Sequence, residues 1–145
     1  MGIATQYDTD FYGWIQEQAA LIKAGRLDAV DLENLLEEVE CMGRSEENAL
    51  ESRLELLFAH LLKWIYQPEY RGRSWVNTIK EQRRKIPKHL QRNPGLKNKL
   101  DEIMRSAYED ARAAATDETG LPEQTFPKQC PWMSSEALNQ DFWPD

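Results

Sequence analysis

The fold turns on Asn48–Tyr66, "NALESRLELLFAHLLKWIY". Leu50, Leu54, Leu57, Phe58, Leu61 and Ile65 recur at three- and four-residue intervals, the period that lines one face of an α-helix, and Leu56, His60 and Trp64 add a neighbouring stripe. A helix with two adjoining apolar faces packs against two or three partners, so this segment is predicted to be the central spine of a helical bundle. It is expected to open after "GRSEEN" (43–48), with Ser45 as cap and Glu46 and Glu47 in the first turn, and to stop before Pro68.

Toward the N-terminus two more helices are expected. The first opens after Asp8 or Asp10, presents Phe11, Trp14, Ile15, Ala19 and Ile22 on one side, and closes at Gly25. The second takes Asp28 as its cap and buries Leu32, Leu35, Leu36, Val39 and Met42, while Glu33, Glu37 and Glu40 face elsewhere. Gly43 is expected to interrupt or bend it. Beyond the spine, a fourth helix starts at Ser74 as N-cap with a narrow apolar stripe of Trp75, Ile79, Ile86 and Leu90, and Pro87 is expected to kink or break it. Asn93 caps a fifth, with Pro94 at its first position, that ends near Gly120. From Leu121 the texture changes: residues 121–145 hold four of the seven prolines and four large aromatics, too aromatic for a disordered tag. The expected architecture is therefore all-α, a single domain (1–145) made of a bundle of four to five helices (1–120) and a docked, mostly extended strap (121–145) with a short helical turn after Ser134.

A chain of 145 residues is long enough to bury one sizeable core without staples. Cys41 and Cys130 match no metal-ligand spacing, which makes a reduced, cytoplasmic setting the default expectation. No secretion signal or membrane-spanning stretch is visible. Charge is uneven: residues 1–60 carry 4 basic and 13 acidic side chains, 71–99 carry 10 and 1, and 100–145 carry 3 and 10. A basic block thus lies between two acidic ones within a chain of net charge −7. Neutralisation inside the fold or between chains is one reading, and capture of an external polyanion the other.

The stretches "YDTDFYGW", "LLEEVECMGRSE", "HLLKWIYQPEYRGRSW", "TIKEQRRKI", "NPGLKNKL" and "TGLPEQTFPKQCPWMSSEALNQDFWPD" together cover almost the full length. In this combination the chain resembles a bacterial family catalogued as domain of unknown function 29, found in cyanobacteria and proteobacteria. The resemblance implies a small all-helical fold and carries over no catalytic role. Pro87 departs from the pattern expected of that family.

Three constellations carry functional expectations. Arg71 and Arg73 precede Ser74 at a helix N-terminus, where free backbone donors and two guanidinium groups could converge on a phosphate or carboxylate. That anion could equally come from this chain, with Trp64 and Trp75 packing either side of the corner. The second is the basic surface of Arg71, Arg73, Lys80, Arg83, Arg84, Lys85, Lys88, Arg92, Lys97 and Lys99, the kind of stripe that nucleic-acid binding needs, though the acidic pI near 4.9 and the lack of a nucleic-acid motif weigh against it. The third is Glu37, Glu40, Cys41 and His60, which could meet as a metal site if His60 projects from a helix adjoining the one that carries the others. Against it, the sequence has no Glu-x-x-His pair.

No phosphate loop, nucleophile elbow or zinc-spaced histidine pair is present, and no cofactor is implied. The leading expectation is a non-enzymatic helical-bundle protein that works by macromolecular contact, with a protein partner or by self-association, acidic helices of one surface meeting the basic helix of another. The alternative is nucleic-acid or phosphate binding through residues 71–99.

Overall fold

The computed structural model describes residues 5–145. Among these residues there is no strand, and the α-helices are α1 (Gln6–Thr9), α2 (Phe11–Lys23), α3 (Leu32–Tyr66), α4 (Arg73–Arg92), α5 (Leu100–Thr119) and α6 (Ser134–Ala137). The all-α expectation therefore holds. The chain divides into two compact units, one ending at Arg44 and the other running from Ser45 to Asp145.

In the first unit Asp10 caps α2 by accepting from the Gly13 backbone N–H at 3.0 Å, and Gly25 takes the left-handed conformation (φ +72°) that ends the helix, both as expected. Asp31, not Asp28, starts α3: its carboxylate accepts from the Asn34 backbone at 3.3 Å. The two aspartates are equivalent in sequence, and a tertiary contact separates them. The Gln18 side-chain carbonyl accepts from the Asp31 backbone N–H at 2.7 Å, and the Trp14 indole donates to the Asp31 carboxylate at 3.0 Å. The hydrogen bond from the Asn34 side chain, followed by those from the Trp14 indole and the Asn34 backbone, holds the Asp31 carboxyl below its usual range. Tyr7 donates to Glu38 and packs edge-on to Trp14. Residue 7 meets 38 while 18 meets 31, so α2 and the start of α3 form an antiparallel helical hairpin.

The expected break at Gly43–Ser45 is absent. One 35-residue helix replaces the predicted second and third. A glycine inside a helix costs only about 1 kcal/mol relative to alanine, less than the hydrogen bonds and packing that continuity preserves. Ser45 is mid-helical and caps nothing.

In the second unit the main stripe of the spine behaves as its period implies, with Leu50, Leu54, Leu57, Phe58 and Leu61 fully buried and Leu62 beside them, but of the neighbouring stripe Leu56 is exposed and His60 and Trp64, like Ile65 of the main stripe, are half-buried. Around them pack Ile79, Ile86 and Leu90 of α4 and Ile103, Met104, Ala107, Tyr108, Ala111 and Ala115 of α5. Pro87 breaks nothing, since α4 runs through it without interruption. The apolar residues on both sides of the proline are anchored in the same core, which holds the helix together despite the missing donor. Pro94–Lys99 is a 3-10 turn, so α5 begins at Leu100, later than expected, and ends at Gly120 (φ +74°). Residues 121–145 contribute Phe126, Trp132 and Ala137 to the core, with Phe126 edge-on to Tyr66 and Trp132 stacked on Phe58.

Candidate functional site

The corner between α3 and α4 is built from the end of the spine. An α-helix leaves its last carbonyls without intrahelical partners. Here the Arg71 guanidinium supplies one, its Nε donating to the Trp64 carbonyl at 2.7 Å while the group lies over the Trp64 ring at 4.8 Å. Arg71 thus meets the negative end of a helix dipole and an aromatic face. The two tryptophans of the corner have different neighbours. Trp64 packs against Trp143, 4.9 Å between centroids, whereas Trp75 receives the Lys63 ammonium at 5.2 Å from its centroid. That ammonium is nearly buried and pairs with Glu118 at 3.1 Å. Gly72, not Ser74, occupies the cap position of α4, with no side-chain cap hydrogen bond, and Arg73 and Ser74 are exposed.

Along α4 the expected basic surface splits in two. Arg73, Lys80, Arg84 and Lys88 are exposed and recur at intervals of seven, four and four residues, one stripe spanning about 22 Å of helix. Arg83 is turned the other way and is buried. It lies four residues after Ile79 and three before Ile86, both core residues, so its helical phase alone assigns it inward. Its Nε donates to the Ala137 carbonyl at 2.7 Å and its guanidinium lies 5.4 Å from the Trp143 centroid. Among the described residues the two terminal nitrogens have no hydrogen-bond partner, and burial lowers the pKa of the group. Arg83 is thus a tie between α4 and the C-terminal segment, not a surface contact beside Arg84.

The metal constellation does not assemble. Because α3 is continuous, His60 lies on the same helix as Cys41, nineteen residues further on, and not on an adjoining one. Cys41 and Glu37 instead receive the Arg44 guanidinium at 3.1 and 3.4 Å. Glu40 is exposed. The His60 ring bonds the Leu56 carbonyl at 2.9 Å, and burial lowers its pKa. Among the described residues no group of three or more histidine, cysteine, aspartate or glutamate side chains could hold a metal ion.

A seam that the sequence did not reveal lies between α5 and the C-terminal segment, a groove of about 710 Å³ lined in part by Arg105, Tyr108, Arg112, Glu123, Lys128 and Cys130. Tyr108 and Arg112 in its wall hold the segment. The Tyr108 hydroxyl donates to the Pro127 carbonyl at 2.6 Å, and Arg112 donates to the Phe126 and Glu123 carbonyls at 3.3 and 3.0 Å and to the Glu123 carboxylate at 3.3 Å. Burial pushes the Cys130 thiol up, which keeps it protonated and weakly nucleophilic. The only advance signal was composition, since carbonyl acceptors in an extended segment have no sequence signature.

The family model described as "Domain of unknown function DUF29" matches residues 6–143. The chain belongs to the DUF29 family. No curated protein and no solved structure matches it. Membership covers nearly the whole of this DUF29 chain, both compact units included, and assigns no activity to either. No helix among its described residues is long and apolar enough to cross a membrane.

Proposed function

We propose that this DUF29 chain works by contact with another macromolecule, an acidic protein surface received by the outer face of α4. The observation that carries the reading is the row Arg73, Lys80, Arg84 and Lys88, exposed, in phase, and with no acidic side chain within 4.0 Å among the described residues. Basic side chains that serve the fold behave differently here. Lys85 pairs with Glu81 at 2.6 Å, Lys99 with Glu47 at 2.7 Å, and Arg83 is inside. Four cations left facing water along one helix, in a chain of net charge −7, form a local positive field that steers an acidic partner to that face. The acidic balance of the chain, with a pI near 4.9, and the lack of a nucleic-acid-binding motif favour an acidic protein surface over a nucleic acid. The acidic surface can belong to a different protein or to a second copy.

The test is binding of labelled poly-L-glutamate and of labelled duplex DNA across a salt series, with light scattering on the same samples. The reading expects poly-L-glutamate binding that weakens with salt and falls at least tenfold in a Lys80→Glu/Arg84→Glu/Lys88→Glu chain. Tighter binding of DNA than of poly-L-glutamate would transfer the face to nucleic acid, and unchanged binding by the triple variant would remove α4 from the account.

A further inference from the structure

The stripe expected to be buried on the first half of α3 is not buried. Leu32, Leu36, Val39 and Met42 are between 56 and 71% exposed. On α2, Phe11, Ile15 and Ile22 are 45, 39 and 50% exposed, although Trp14 and Gln18 of the same helix are buried. Helical phase relates the two rows. Counting roughly 100° per residue from inward-facing Trp14 and Gln18 on α2, and from Asn34, Leu35 and Glu38 on α3, turns both rows to the same side of the antiparallel hairpin. Seven half-exposed apolar side chains leave on the order of 400 Å² of contiguous apolar surface, a size at which patches on soluble chains are usually functional.

The rim of this surface says what covers it. Glu33 and Glu40 are exposed on the outer flank of α3 beside Leu36, whereas Glu37 lies further round the helix and pairs with Arg44. Residues 5–44 carry nine acidic against three basic side chains. A second copy of the hairpin would bring the same excess of negative charge against itself, and an anionic lipid surface would be repelled in the same way. A chain that is apolar on one side and cationic on the other satisfies both features.

We infer that the apolar face shared by α2 and the first half of α3 takes a basic amphipathic helix from a partner protein, its apolar side on Phe11, Ile15, Leu36 and Val39 and its lysines or arginines on Glu33 and Glu40. The basic helix of this chain, α4, cannot be that ligand in a second copy, because Ile79, Ile86 and Leu90 are already consumed by its own core. The proposed contact uses no residue of α4, and the two readings stand or fall independently.

The probe is a fluorescently labelled eighteen-residue peptide of leucine and lysine with the leucines on one helical face, titrated into the full chain by anisotropy. Saturable binding is expected, weakening with salt and at least tenfold weaker in a Leu36→Asp/Val39→Asp chain whose helical circular dichroism is unchanged. The Lys80→Glu/Arg84→Glu/Lys88→Glu chain should bind the peptide as the parent does, which separates this surface from α4. Absence of binding would overturn the inference, as would equal binding of a scrambled peptide. A dimer by light scattering that the Leu36→Asp/Val39→Asp change dissociates would also overturn it, by giving the face to a second copy.

Discussion

Arg83 shows how one residue of phase changes a role. Its guanidinium is buried with one acceptor, one aromatic face and two nitrogens without partners. Such a group holds position at a cost, because the desolvation of the charge is only partly offset. Arg83→Met keeps the volume and removes the orphaned donors, so its stability in urea denaturation should fall within about 1 kcal/mol of the parent or above it. Arg83→Ala leaves a cavity in the same place and should cost about 2–3 kcal/mol. His60 gives a pH signature. Burial lowers its folded pKa, so in the window below the unfolded value near 6.5 the unfolded chain binds the extra proton and the folded chain does not. Its contribution is fully present above that value and declines as pH falls toward the folded pKa. The melting temperature should drop between pH 7 and pH 5, and His60→Gln should flatten that part of the profile.

At the scale of elements, the sequence disclosed what local periodicity encodes and missed what tertiary contacts arbitrate. The spine was legible because Leu50, Leu54, Leu57, Phe58 and Leu61 repeat with the helical period, and the ends at Gly25 and Gly120 because only a left-handed residue closes them. The start of α3 was not, since the choice of Asp31 over Asp28 rests on Gln18, thirteen residues away. The candidate site was half legible. The exposed row on α4 could be named, but Arg83 was grouped with its neighbour Arg84 by composition when its spacing from Ile79 and Ile86 had already placed it inside. Two positions where local rules were overruled give direct tests. Gly43 lies mid-helix with open space where a Cβ would sit, so Gly43→Ala should stabilise by about 0.5–1 kcal/mol, read from denaturant midpoints. Pro87 is exposed within α4, and Pro87→Ala restores a backbone donor to the Arg83 carbonyl, which should stabilise by about 1–3 kcal/mol.

For the whole molecule, the second unit depends on a segment with little helix of its own. Phe126, Trp132 and Ala137 are as buried as the spine they cover, and Tyr108, Arg112 and Arg83 donate to its backbone carbonyls. A chain ending at Gly120 would expose the surfaces of Phe58 and Tyr66 that those residues cover, and is expected to lose cooperative unfolding and bind a hydrophobic dye, as a packed core that has lost its cover does. An intact sigmoidal melt from the truncated chain would show that α3, α4 and α5 suffice. One arrangement makes the two units separately visible. Of the five tryptophans, Trp14 alone lies in the unit that ends at Arg44, its indole hydrogen-bonded to Asp31. A chain whose other tryptophans are replaced by phenylalanine therefore emits from the hairpin only, and comparing its emission with far-ultraviolet ellipticity during heating asks an optical question of the chain: whether a helix that runs unbroken from one unit into the next makes them melt at one temperature or at two.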